Sequence, residues 1–199
     1  TLLSGTHTLS VRTINTLGNS SAGTGNTYTL DTTVPTALAT VTALSADTGS
    51  SSTDFVTGTA AQTVSGTFTG TLGTGEKIQV SADGGAHWLD ATTSGSTFSA
   101  SGVTLSSGTH TLSVRTINTL GNSSAGTGNT YTLDTTVPTA LATVTALSAD
   151  TGSSSTDFVT GTAAQTVSGT FTGTLGAGEK IQVSADGGAH WLDATTSGS

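Results

Sequence analysis

The sequence predicts an all-β protein made of tandem β-sandwich domains, about seven strands each, and three observations carry that expectation. The chain repeats itself: displaced by 103 positions, residues 1–96 fall on residues 104–199, and only two of the 96 pairs differ, Leu3 against Ser106 and Thr74 against Ala177. Such a period suits a whole small domain per copy, since solenoid units run to roughly 20 to 50 residues. Within a copy, apolar and polar residues alternate with the period of two that gives a strand one buried and one wet face. Turn-forming Gly and Asn separate these runs, as in LGTG at residues 72–75 and LGN at residues 120–122.

Taken along the chain, Ala37, Leu38, Val41 and Leu44 have helical spacing, yet the threonines among them and the all-β surroundings favour a strand. Short strands are expected at residues 64–68, 87–91 and 97–100. Ile78, Val80 and Ala82 alternate with Gln79 and Ser81; His110, Leu112, Val114 and Thr116 alternate with Thr111, Ser113 and Arg115; Tyr131 and Leu133 alternate with Thr130 and Thr132. The sequence DTTVP occurs at residues 31–35 and 134–138, holds both prolines of the chain, and each time follows a Tyr-Thr-Leu strand. Proline fixes its own φ and extends the valine before it, so these are short, fairly straight linkers. The domains expected on this frame are residues 1–31, the closing part of one; residues 32–134, a complete one; and residues 135–199, the opening part of the next.

Composition excludes several functions. With 12 Asp and Glu against 4 Lys and Arg, the chain has little with which to grip nucleic acid. No apolar run approaches the ~18 to 20 residues that cross a bilayer, so no membrane contact by this segment is expected. Absent cysteine rules out disulfide staples. Because the chain opens at Thr1 without a methionine, it reads as a piece of a longer protein.

The motifs that could carry catalysis are weak. Residues 70–77, GTLGTGEK, echo a phosphate loop, but Glu76 stands where the loop needs lysine. No nucleophile elbow of the G-x-S-x-G kind is present, and no enzymatic activity is expected. His7 and His110 lie in phase with the Leu and Val of their strands, which suggests partly buried, hydrogen-bonded histidines. Residues 81–88, SADGGAHW, repeated at 184–191, match the Asp-box pattern S-x-D-x-G-x-x-W. This reads as a hairpin: Asp83 bonds its own turn, Gly84 and Gly85 supply unusual φ angles, and Trp88 packs beneath. A carbohydrate-binding module built on Trp88 and His87 is the alternative function.

Asp31, Asp47 and Asp54, with their copies Asp134, Asp150 and Asp157, are the candidate metal ligands. Singly, Asp in Ser/Gly loops is a turn former. Together, a linker carboxylate and two loop carboxylates in the stretch LSADTGSSSTDF, residues 44–55, would collect hard oxygen ligands without a basic neighbour. Calcium accepts six to eight such oxygens in loose geometry, whereas magnesium demands a tighter octahedron, so Ca2+ is the expected ion.

The combination of DTTVP linkers, the DTGSSSTD loop, the SADGGAHW turn and GTHTLSVR ending in LGN resembles the bacterial Ig-like extender repeats of giant surface adhesins, including RTX adhesins and biofilm-associated proteins. The resemblance covers essentially the whole chain. It implies extracellular Ig-like sandwiches on a bacterial cell surface, strung between an anchoring end and a ligand-binding tip and stiffened by calcium. Carried over, Asp31, Asp47 and Asp54 and their copies fall on acidic positions of such repeats. One departure is Asn15, with its copy Asn118, which stands where many relatives have an acidic residue.

The partners expected are neighbouring identical repeats. Both chain ends fall within domains rather than at linkers, and unpaired strand edges are templates for another chain. The tail of one chain is therefore expected to be completed by the head of another, residues 8–14 and 27–30 pairing with residues 139–199.

Overall fold

The computed structural model describes residues 1–49 and 51–197; Ser50 of the polar loop, and Gly198 and Ser199 at the expected junction, lie outside the described residues. Among the described residues all regular structure is β, as the alternation predicts. The head holds β1 (Gly5–Leu9), β2 (Arg12–Ile14), β3 (Ser20–Ala22) and β4 (Asn26–Leu30). The complete domain runs through β5 (Leu38–Leu44), β6 (Val56–Thr57), β7 (Ala61–Thr69), β8 (Lys77–Ser81), β9 (Leu89–Asp90), β10 (Thr92–Ser94), β11 (Thr97–Thr104), β12 (Gly108–Ile117), β13 (Ser123–Ala125) and β14 (Asn129–Leu133). The tail holds β15 (Leu141–Leu147), β16 (Val167–Thr172), β17 (Gln182–Val183) and β18 (Leu192–Asp193). Two compact units result, Thr1–Thr135 and Thr136–Ser199.

In the complete domain one sheet has the order β10-β11-β7-β5 and the other β6-β14-β12-β8-β9, with β13 also on β12. Their inner faces enclose one core. Val64 and Phe68 of β7 and Phe98 and Ala100 of β11 come from the first sheet, and Ile78, Val80, Leu112, Val114, Tyr131 and Leu133 from the second. Alternation places them there: along β12, Leu112, Val114 and Thr116 are buried while Thr111, Ser113 and Arg115 are less so. The Thr116 hydroxyl, fully buried, donates to the Ala37 carbonyl and ties the two sheets together.

The helical spacing of residues 37–44 has a structural cause. Strand β5 pairs with β7 through a register shift between Val41 and Ala43, so one extra residue separates the buried Val41 from the buried Leu44. A β-bulge adds one residue to the period of two and so mimics an i, i+3 pattern. Two expectations need correction. Of residues 87–91 only Leu89 and Asp90 form a strand, because the tight turn before them takes up His87 and Trp88. His110 is exposed rather than partly buried: it sits at the open end of β12, where its Nε2 meets the Ser107 carbonyl and its ring tilts against Tyr131. The two positions that differ between copies, 3 and 74, are exposed, and so are their counterparts 106 and 177, which explains why Leu and Ser, or Thr and Ala, are interchangeable there.

Candidate functional site

The polar loop between β5 and β6 is organised from its base by one buried side chain. Gln62, on an inward position of β7, accepts from the Ala46 backbone N–H and the Ser45 hydroxyl, and donates to the carbonyls of Ala46 and Thr59. Thr57 donates its hydroxyl to the Ala46 carbonyl at 2.6 Å, and the Thr48 hydroxyl accepts from Gly58 N–H at 2.8 Å. These bonds satisfy a loop that could not form a ladder of its own. Sequence reasoning passed over Gln62; its signal was a glutamine among the inward-facing Val64, Gly66 and Phe68.

Within the loop the carboxylates do different work. Asp54 Oδ1 accepts from Val56 N–H, two residues on, and Asp31 Oδ1 from Thr33 N–H, both local Asx turns. Hydrogen bonds from Thr33 hold the Asp31 carboxyl below the usual carboxylate range, its side chain contributing most and its backbone N–H next. Asp47 instead reaches eight residues ahead, its Oδ2 accepting from Phe55 N–H at 3.0 Å. Phe55 adopts a left-handed φ of 60° that bulky residues avoid, yet its ring lies in the core and its carbonyl accepts from Thr132 N–H. The second oxygen of Asp47, Oδ1, is buried without a hydrogen-bond partner, and so is Oδ1 of Asp150 in the other copy. A buried, unpartnered carboxylate oxygen carries an uncompensated desolvation cost that a cation or a donor would relieve.

The carboxylates do not gather in the grouping the sequence suggests. Asp134 follows β14, and its N–H donates to the Thr57 carbonyl, so it shares one end of the domain with Asp47 and Asp54. Asp31 sits at the other end, where its carbonyl accepts from Asn122 Nδ2 just beyond β12. The ten residues of β12, rising ~3.3 Å each, separate the two ends. In the other copy, Asp150 and Asp157 repeat the loop geometry, with Oδ2 and Oδ1 accepting from Phe158 and Val159 N–H. Among the described residues, no three His, Asp or Glu side chains come close enough to hold a metal ion by themselves.

The first linker is clamped onto the domain that follows it. Asn118 Nδ2 donates to the Thr33 carbonyl, Asn122 Nδ2 to the Asp31 carbonyl, and the Ser124 hydroxyl to the Pro35 carbonyl. Asn118 Oδ1 meanwhile accepts from Leu120 and Asn122 N–H, closing its own turn. An aspartate could accept those two bonds but could not donate to Thr33, which is why an amide at this position has a structural use. Asn15 makes the same turn, accepting from Leu17 and Asn19 N–H.

The Asp-box hairpin forms as its residues require. Asp83 Oδ1 accepts from Ser81 Oγ and His87 N–H, Oδ2 lies 2.6 Å from His87 Nδ1, and Gly84 and Gly85 have φ of 73° and 92°. Trp88 packs against Gly85, and the Arg115 guanidinium stands 4.0 Å over its ring. The His87 backbone bond, then those of Ser81 and the His87 side chain, hold the Asp83 carboxyl far below the usual range; His190 and Ser184 hold Asp186 at about 2. The unfolded chain titrates near pH 3.9. A depressed carboxyl therefore stabilises the turn fully above that pH and loses its contribution as pH falls through the folded value. In an acid titration followed by carboxyl NMR shifts, Asp186 is expected to show its midpoint about 2 pH units below an ordinary aspartate and Asp83 lower still; midpoints near 3.9 would show the turn open.

The model of a family described as a bacterial Ig-like domain matches residues 33–135, just over half of the chain. No curated protein matches it.

Proposed function

Because the chain belongs to the bacterial Ig-like domain family, whose members commonly stand in extracellular and surface proteins and are generally non-enzymatic, we propose that it is a spacer segment of a bacterial cell-surface adhesin. Its product is length and stiffness, holding a ligand-binding tip away from the cell. The clamp on the first linker carries this reading: three side chains spend their hydrogen bonds on linker carbonyls, which restrains the hinge on the side of the domain that follows. Near-identity of the copies suits a repeated mechanical element, where each unit does the same work. At ~3.3 Å per residue, the ten residues of β12 imply an advance of roughly 35 to 45 Å per domain and linker.

The clamp is tested by Asn118→Asp, which keeps the turn acceptors and removes the donor to Thr33. The variant is expected to lose about 1 kcal/mol of stability in urea titration. Small-angle scattering should show a shorter mean particle. Unchanged stability and dimensions would count against a stiffened linker.

Calcium is the second part of the reading. The unpartnered Oδ1 of Asp47 supports it, since a hard divalent ion suits a buried anionic oxygen with no donor in reach. Asp47 and Asp54 would hold the ion at the end of the domain that Asp134 shares, and Asp150 with Asp157 would do so in the other copy, backbone carbonyls and water completing the shell. At free calcium about ten times Kd, one site adds ~1.4 kcal/mol, a rise on the order of 5 to 10 °C in melting temperature for a domain of this size. Asp47→Asn, which can still accept from Phe55 N–H, should abolish most of the rise. Asp83→Ala should weaken its hairpin and leave the rise intact. Melting indifferent to chelation would remove calcium from the reading and leave the clamp standing.

The carbohydrate alternative has less support. A sugar platform needs an open aromatic face, and Arg115 already stands over Trp88.

A further inference from the structure

We propose that the complete domain is a tension-bearing element: a pull along the chain enters through β5, leaves through β14, and meets the bonds of both strands in shear. The inference rests on the spacer reading only for the source of the pull, since a tip held on its target while the cell moves loads every domain between them. It needs no metal ion.

The course of the two strands decides how the load falls. β5 starts at the Asp31 end of the domain, where the Thr116 hydroxyl holds the Ala37 carbonyl, and runs to the end that holds Asp47. β14 runs the same way, antiparallel to β12, and delivers the chain to Asp134. The isolated bridge between Thr40 and Thr127 is parallel, as that course requires. A pull on the two linkers therefore draws β5 backwards and β14 forwards, each along its own axis. Hydrogen bonds between strands lie across that axis, so they are strained side by side and must give way together. A pull across the strands would open them one at a time.

Each strand is held on both edges. β5 pairs with β7 from Leu38, opposite Thr69, to Leu44, opposite Val64. On its other edge Val41 N–H donates to the Thr127 carbonyl at 2.9 Å, and Thr127 N–H to the Ala39 carbonyl at 2.8 Å. β14 pairs with β12 and, on its other edge, runs parallel to β6, where Thr132 and Asp134 N–H donate to the carbonyls of Phe55 and Thr57. The core holds the same two strands: Ala39, Val41 and Leu44 of β5 and Tyr131 and Leu133 of β14 are buried. Sliding either strand by one residue would turn those side chains to the wrong face. The Asp83 turn joins β8 to β9, neither of which adjoins a linker, and so lies off the path of the load.

The chain has no cysteine, so a pair of introduced cysteines sets the points of pull on the full chain. Thr36→Cys with Thr135→Cys, at exposed positions, draws the domain lengthwise. Thr36→Cys with Thr71→Cys draws β5 from β7 at the end where Gly70 lies against Ala37. Both pairs enter after the linker clamp and leave it unloaded. In optical tweezers at one constant force, the lengthwise lifetime is expected to be at least about a hundredfold longer than the crosswise one, because several bonds give way together rather than singly. Thr127→Pro removes the donor to Ala39 and should shorten the lengthwise lifetime about fivefold. Asp83→Ala should lower thermal stability and leave that lifetime within about twofold. Lifetimes within about threefold of each other for the two directions overturn the inference. So does a Thr127→Pro lifetime equal to that of the unchanged sequence, or an Asp83→Ala lifetime that falls as far. The comparison of directions needs neither substitution and decides the matter if Thr127→Pro does not fold. Should Asn118→Asp leave stability and dimensions unchanged, the linker clamp fails while these lifetimes stand, which keeps the two readings apart.

Discussion

Gly128→Ala is expected to lower the stability of the complete domain by about 3 kcal/mol or more, a fall of roughly 15 °C in its melting temperature. Residues 126–128 leave β13, cross to β5 and return to β14. Thr127 N–H donates to the Ala39 carbonyl, and its own carbonyl accepts from Val41 N–H. This crossing joins the two sheets at one rim, and the backbones approach too closely for a side chain. A Cβ on Gly128 would lie 1.9 Å from the Leu112 carbonyl oxygen, and one on Gly126 2.2 Å from that of Ala39. Both obstacles are strand backbone, so neither can rotate aside, and the ladder must move. Thermal melting decides it: a loss under about 1 kcal/mol would show that the crossing yields.

Tyr131→Ala should cost about 3 to 5 kcal/mol by leaving an aromatic-sized cavity. The ring is 1% exposed, and its hydroxyl accepts from Ser106 N–H at 3.1 Å, so truncation also strands a backbone donor. The same substitution at Tyr28, its counterpart in the head, should change the melting of the complete domain by no more than about 0.5 kcal/mol. Tyr28 is only half-buried, although its hydroxyl still accepts from Leu3 N–H. Equal losses at the two positions in urea titration would show that burial in the sandwich is not what Tyr131 contributes.

The two copies separate what the sequence by itself determined from what only the tertiary structure decided. Local arrangements recur unchanged in both: Gln62 and Gln165 brace the same loop, Asp47 and Asp150 each leave Oδ1 bare, and Asp83 and Asp186 close the same turn. Their partners lie within about twenty residues, so chain connectivity holds them wherever the sequence occurs. Strand identity and the hairpin were legible for that reason. The bulge at residues 41–44 was not, because it imitates helical spacing until β7 is laid beside it. The carboxylate grouping also escaped the sequence. Asp134 is brought to the same end of the domain as Asp47 and Asp54 by the parallel pairing of β14 with β6, across more than seventy residues, while Asp31 is held at the far end by Asn122. Burial depends most on distant strands. Val41 and Phe98 are core residues only because the second sheet, β6-β14-β12-β8-β9, lies over theirs and excludes solvent, a packing that no local stretch of sequence announces.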